Sequence, residues 1–482
     1  MTTPTTTAGP LAHLDADRNH ALTRLKQFLS IPSVSTDPAF AERVDEAAAW
    51  VAAQCEELGL SVEVLRPAAD AGTGSPGHPV VVAKTTPKLV DENATNRVLF
   101  YGHYDVQPPD PVDQWSSPPF DPAVREGKIY ARGASDDKGQ VLCFLEALRA
   151  YRETGTPLPC PVTLLIEGEE ECGSVSLPAF LDHHAGRLEA DEKTVCVVSD
   201  TCMWEPAGGE NSGGPQPAIT YALRGLVYFD VKLRGPSRDL HSGVYGGTLA
   251  NPATELVRVL GRLTDDDRRV TIPGFYDDVE PATDAELEAW KHLGFDEHEF
   301  TGQVGSRPVG EKDCSTLERR WVRPSCDVNG LYGGYMGEGA KTVIPTFAGA
   351  KVSFRIPAAM DPGKVARQFT DWLHQHDTGG CRWEITNHGE AHPVAVPRDS
   401  PRVAAASRAI EAAAGRPPAL VREGATIPVV ADFQTRLGID TLLIGFGLNS
   451  DNIHSPDEHL DLDRFALGCR THAVLLEELA RA

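Results

Sequence analysis

Arg97-Val-Leu-Phe-Tyr-Gly-His103-Tyr-Asp105 is the stretch on which the fold turns. It predicts a strand over Arg97–Tyr101, apolar on both faces, that ends abruptly in a histidine and an aspartate two residues apart. Strands of the same kind are predicted at Val162–Ile166, Thr194–Val198 and Thr441–Phe446. An amphipathic helix is predicted over Lys138–Thr154, with Val141, Leu142, Phe144, Leu145 and Leu148 on its apolar side. Buried strands joined by helices predict a mostly parallel α/β sheet. In open sheets of this class, ligands bind beyond the strand C-termini.

Outward from that core, helical spacing marks Leu22–Leu29, stopped by Pro32, and Val44–Leu58, ended by Gly59. Strands follow at Ser61–Leu65 and Val80–Ala83, around a Gly/Pro loop over Asp70–Pro79. The Thr/Pro-rich first ten residues read as a loose tail. After a polar stretch at Pro206–Pro217 the pattern changes. Ile219–Leu233 alternates like long half-buried strands, followed by a helix at Pro252–Leu263, a strand at Thr346–Ile356, a helix at Asp361–His376 and a strand at Arg382–Asn387. From His392 the chain returns to helix (Pro401–Ala414), strand and final helix (Asp461–Ala480). The organisation expected is a discontinuous sheet domain, 1–214 plus 391–482, interrupted by an α+β insert at 215–390.

The 482 residues carry 45 basic and 69 acidic side chains, a net charge of −24 that repels nucleic acid and anionic membranes. No apolar run reaches the length of a membrane span, and the N-terminus has no signal-peptide pattern. The ten cysteines contain no CxxC pair and read as reduced thiols of a cytoplasmic protein, with Cys143 and Cys196 in the core.

Polar clusters follow the predicted strands. Taken singly, each has an ordinary reading. His103 suits a hydrogen-bonded core histidine, Asp136-Asp137 a helix cap, Glu169-Glu170-Glu171 a solvated acidic loop, and Asp200 and His454 plain turns. Together, His103, Asp136, Glu171, Asp200 and His454 supply two imidazoles and three carboxylates to one sheet edge. That mixed set suits zinc, manganese or cobalt better than magnesium or calcium. Five ligands exceed the need of one tetrahedral ion, and a carboxylate shared between two ions uses them all.

These residues stand in recognisable motifs: Tyr-Gly-His103-Tyr-Asp105-Val-Gln-Pro, Arg-Gly-Ala-Ser-Asp136-Asp-Lys-Gly, Glu170-Glu171-Cys-Gly-Ser and Ser-Asp200. Further along come Asp-Leu-His241-Ser-Gly-Val-Tyr-Gly-Gly, Thr342-Val-Ile-Pro, Ser-Phe-Arg355, Arg-Glu-Gly-Ala-Thr426-Ile-Pro and His454-Ser. In them the sequence resembles the di-metal aminopeptidase-like exopeptidases, on the dipeptidase branch that includes carnosinase. The resemblance implies two divalent ions, one held by His103 and Asp200, the other by Glu171 and His454, with Asp136 bridging and its bond to Asp137 cis. It implies that Asp105 orients His103 and that Glu170 is the general base toward a metal-bridging water. It makes the insert a lid and dimerisation domain, from which His241 reaches the partner subunit's site. It assigns Arg355, Thr426 and Thr342 to the substrate, a dipeptide. Cys172 and Ala425-Thr426 depart from the usual Ser and Gly-Ser. The rivals are an N-acyl-amino-acid deacylase of the same family, a catalytically inactive binding relative, and a metal-free acidic scaffold.

Overall fold

A computed structural model describes residues 7–67, 77–206, 214–302 and 304–482. Most of the Asp70–Pro79 loop, part of the Pro206–Pro217 stretch and the first six residues lie outside these. The described chain forms two compact units, Met1–Tyr221 with Val396–Val421 and Asp432–Ala482, and Ala222–Ala395 with Arg422–Ala431. Boundaries thus fall at 221/222 and 395/396, against 214/215 and 390/391 from the sequence, and the 422–431 segment groups with the second unit.

The first unit is built on Arg97–His103, whose residues from Val98 onward are all buried. It pairs in parallel with Val162–Glu167 on one side and Thr194–Val198 on the other, and Asp440–Leu443 joins the latter in parallel. Toward the margins the nine-stranded sheet becomes antiparallel. Val80–Lys84 runs against Val162–Glu167, and Ala218–Leu223 against Asp440–Leu443. The expected parallel sheet is therefore the centre of a mixed one. The last parallel strand is shorter than Thr441–Phe446 because the Phe446 amide turns away to donate to Gln140 Oε1 at 2.7 Å.

Helices Lys138–Glu153 and Leu462–Ala480 pack on this sheet, with Phe100 stacked on Phe144 at a centroid distance of 4.0 Å. The tail expectation fails at Ala8, where a helix begins and runs to Ala16. Pro10 sits in its first turn, where a missing N–H costs nothing, and Leu11 and Leu14 pack on the core. Docking of those two leucines outweighs the loop-like composition.

In the second unit, four antiparallel strands run in the order Ser325–Gly333, Phe347–Ile356, Gly225–Arg234, Arg382–Ala391. Val227, Phe229, Val231 and Leu233 alternate inward beneath helices Pro252–Leu260 and Pro362–His374. Asn251 and Asp361 cap those helices by accepting from Ala253 N at 3.0 Å and Lys364 N at 2.6 Å. This is the α+β insert expected. None of the ten cysteines is in a disulfide among the described residues, Cys143 and Cys196 are buried, and no helix of the described residues is long and apolar enough to cross a membrane.

His472 is one of the buried groups that titrate. His472 is buried among the rings of Phe100, Phe144 and Phe446, with Nε2 3.2 Å from Ser199 Oγ and no partner at Nδ1. Burial disfavours its charged form and pushes it from 6.5 down to about 3. The unfolded chain therefore takes up the proton first. Stability is full above about pH 6.5 and declines as pH falls toward 3. Between pH 7 and 5 this one group removes about 2 kcal/mol. His472→Gln is expected to shrink the pH 7-to-5 difference in unfolding free energy by that amount, read by urea denaturation of chelator-treated protein.

Candidate metal centre

Parallel pairing decides where the chemistry lies. His103 is the register partner of Glu167, and Val198 stands opposite both Tyr101 and Leu443. The residues that follow each strand therefore leave the sheet at one edge: Tyr104-Asp105, Glu169–Glu171, Asp200, and the 447–456 loop.

There the side chains of two triads converge, His103 with Asp136 and Asp200, and Glu171 with His454 and again Asp136. In each triad the ligand atoms lie within 4.8 Å of one another. Asp136 turns its two oxygens to different imidazoles, Oδ1 to His103 Nε2 at 3.1 Å and Oδ2 to His454 Nε2 at 2.9 Å. Asp200 Oδ2 is 3.7 Å from His103 Nε2, and Glu171 Oε2 is 3.3 Å from His454 Nε2. His103 Nδ1 faces the Asp105 carbonyl oxygen at 3.1 Å and its carboxylate at 3.3 Å. An imidazole whose Nδ1 is occupied in this way presents the Nε2 lone pair to a ligand.

The acidic run sorts itself by hydrogen bonding. Gly168 is required before it, because a Cβ there would lie 2.4 Å from the Tyr104 hydroxyl oxygen. Glu169 spends both oxygens on backbone amides, His78 N at 2.8 Å and Ser176 N at 3.0 Å. Glu171 faces His454 and also accepts from Gln107 Nε2 at 2.8 Å. Glu170, between them, has neither duty. Cys172 donates its thiol to the Glu169 carbonyl at 3.3 Å and belongs to neither triad. The Asp136–Asp137 peptide is cis.

The electrostatics match a cation site. Burial, reinforced by Asp136 and other carboxylates, pushes Asp200 up to about 7; burial and the same crowding push Glu170 up to about 9. Hydrogen bonds that its ring donates to Asp136 and Glu171 push His454 up to about 10. His103 is raised despite its burial, and Asp136 is lowered despite its own, because each ring and carboxylate favours the other's charge. Carboxylates this crowded are the donor set that divalent cations neutralise.

A sequence model of the group described as Peptidase family M20/M25/M40 matches residues 99–478. The chain belongs to that peptidase family. It is a metal-dependent peptide hydrolase on the family's dipeptidase side. The Cys-Gly metallodipeptidase DUG1 of Candida albicans is 32% identical over 480 residues, covering 95% of this chain and 94% of that one. The crystal structure of human carnosine dipeptidase 1 superposes with a TM-score of 0.81 at 30% identity, covering 99% of this chain and 100% of that one. An M20 metallo-carboxypeptidase of Sulfolobus solfataricus, Sso-CP2, gives 0.81 at 32% identity, covering 96% and 99%.

The remaining expected residues of this M20 peptidase lie in the second unit. Arg355 Nη1 donates to Thr426 Oγ1 at 2.8 Å. His241 is exposed and pairs with Val343, and its Nδ1 accepts from Gly243 N at 2.9 Å. Thr342, also exposed, accepts from Ser242 N through its carbonyl at 3.3 Å.

Sequence reasoning missed the groups that hold the ligands. Buried Glu458 accepts from Arg132 Nη1 at 2.7 Å and from the amides of Gly133, Ser135 and Asp136 at 3.0, 3.0 and 3.1 Å, which fixes the loop carrying Asp136. Buried Asp451 accepts from Ser135 Oγ at 3.0 Å, Leu448 N at 2.8 Å and Arg464 Nη1 at 2.7 Å. Between these anchors Asn452, His454 and Asp457 adopt left-handed φ of 57°, 60° and 58°. Three such residues in six mark a loop held by its surroundings rather than by its own preference. The only sequence signal was Asp-Glu458 four residues beyond His454. Glu458→Gln removes the acceptor capacity of one oxygen and is expected to weaken manganese binding about 10- to 100-fold. Competition against a fluorescent chelator measures this, with circular dichroism showing the fold retained.

Proposed function

We propose that the chain hydrolyses the peptide bond of dipeptides with two divalent ions, zinc or manganese with cobalt as a substitute. His103 and Asp200 would hold one ion, Glu171 and His454 the other, and Asp136 both. The observation that carries this reading is Asp136, whose two oxygens face two separate imidazoles. When bound, the ions supply an acidified water and polarise the scissile carbonyl.

The chain's own groups do the rest. Glu170 takes the nucleophile's proton and returns it to the leaving amine. Its carboxyl, pushed up to about 9 by burial and neighbouring carboxylates, is brought into the basic form by the positive charge of the ions. Asp105 keeps the His103 ring in the ligating tautomer. His241 accepts at Nδ1, so a neutral ring carries its proton on Nε2, ready to donate to an oxyanion. Arg355, with Thr426 and Thr342, receives the substrate's carboxylate in a planar fork, which restricts the site to short peptides.

His241 of the partner subunit would complete each site in a homodimer formed through the second unit. What supports self-association is the edge strand Ser325–Gly333, which among the described residues has no partner on one side and exposes Val328 and Leu331, with Tyr335 and Met336 beyond it. Ten cysteines outside any disulfide suit a cytoplasmic location.

Glu170→Gln is expected to keep its metal content by elemental analysis while kcat falls about 10²- to 10⁴-fold. Chelation should abolish hydrolysis of a dipeptide panel and manganese or zinc should restore it, with N-acetyl amino acids turned over far more slowly. Faster turnover of the N-acetyl compounds would make the chain a deacylase instead. Mixing Glu170→Gln with His241→Ala protein should recover activity, since a mixed dimer rebuilds one intact site. No recovery despite subunit exchange, followed by sedimentation, would place His241 in its own subunit's site.

A further inference from the structure

The Thr426 hydroxyl has one hydrogen, and it is spent. Oγ1 donates to the Arg224 carbonyl at 2.6 Å while accepting from Arg355 Nη1 at 2.8 Å. In this arrangement Thr426 acts on a substrate carboxylate through the guanidinium of Arg355. Arg224 in turn grips the segment that carries Thr426. Its amide donates to the Glu423 carbonyl at 3.3 Å, and its Nε to the Gly424 carbonyl at 3.1 Å. Its Nη1 spans the carbonyls of Arg319 at 3.3 Å and Arg323 at 3.4 Å, at the end of helix Thr316–Trp321. The fit is close. A Cβ on Gly424 would stand 2.9 Å from Arg224 Nη2 and 3.0 Å from the Arg320 carbonyl oxygen.

Every guanidinium hydrogen bond of Arg224 thus ends on a backbone carbonyl and none on a carboxylate. A largely buried arginine is a costly fastener when an ion pair would serve, as Arg422 shows in the same segment with both Nε and Nη2 on Glu286, at 3.1 and 2.6 Å. What the carbonyl-only arrangement preserves is positive charge. Arg224 lies near enough to Arg355 that each repels the other's charge, and burial with that repulsion pushes Arg224 down to about 10. No hydrogen-bonded carboxylate neutralises either group.

We propose that Arg224 is a positioning residue for carboxylate recognition: through its carbonyl and Thr426 it aims the Arg355 fork. This deepens the reading of Arg355 given above and rests on it.

The test compares Leu-Gly with Leu-glycinamide, which lacks the terminal charge, using the manganese-loaded enzyme. The wild type should show a much lower KM for the acid. Arg224→Gln should raise KM for Leu-Gly about tenfold, leave its kcat within about twofold, and leave KM for the amide unmoved. Thr426→Val should do the same and Thr426→Ser should restore the wild-type value. The Arg224→Gln/Thr426→Val double variant should lose no more than the worse single one, because both act on one chain of contacts. Equal effects on acid and amide, a change in kcat alone, or fully additive losses would overturn the proposal. If circular dichroism shows Arg224→Gln unfolded, Gly424→Ala, which displaces the same guanidinium, carries the comparison and the same outcomes decide it. A wild type with the same KM for acid and amide would instead remove the carboxylate role of Arg355 itself.

Discussion

Three parallel pairings around Arg97–His103 set everything else. Parallel strands start at one edge of a sheet and finish at the other, so whatever follows each of them is delivered to a shared crevice. Here the delivery is almost entirely acidic. Asp136, Glu170, Glu171 and Asp200 meet in a partly buried space with two imidazoles, a charge pattern that costs stability unless positive ions share it. The surrounding backbone is tied down accordingly. Glu458 collects three amides and an arginine beneath Asp136, and Asp451 pins the loop that presents His454. The ligand side chains are held in place by groups that belong to neither triad, which is the usual condition for a site whose geometry must survive its own repulsion.

Much of this was legible in the residues. A run such as Val98–Tyr101 has no wet face, so it belongs in the middle of a sheet, and its neighbours could be picked out by the same property. Once the central strands are parallel, the polar groups that follow them must assemble at one edge, and His103, Asp136, Glu171, Asp200 and His454 do so. The α+β character of the second unit was equally plain, because Val227, Phe229, Val231 and Leu233 alternate without interruption.

What escaped had physical reasons. Ser325–Gly333 contains Asp, Asn and Gly and lies at a sheet edge with half its side chains wet, so its strand identity comes from pairing with Phe347–Ile356 and not from its own preference. Helix Ala8–Ala16 is made by docking Leu11 and Leu14, which no local pattern announces. Glu458 and Arg224 act through hydrogen bonds to backbone groups more than a hundred residues distant, and such partners leave no spacing to read. The margins of the large sheet turned out antiparallel for a similar reason, since strand direction at an edge depends on where the chain happens to return.

The division of the chain has a consequence for its biogenesis. The first unit is interrupted by 222–395 and again by 422–431, and its core is completed only by helix Leu462–Ala480, which packs on Lys138–Glu153 and closes around Phe100 and Phe144. A ribosome making this protein from its N-terminus must therefore release Leu462–Ala480 before the sheet that bears the ligands can be sealed. Until then the acidic loops stand on an unfinished scaffold, while nearly all of 222–395 has already been made. A nascent chain stalled before Leu462 would lack the helix that closes around Phe100 and Phe144.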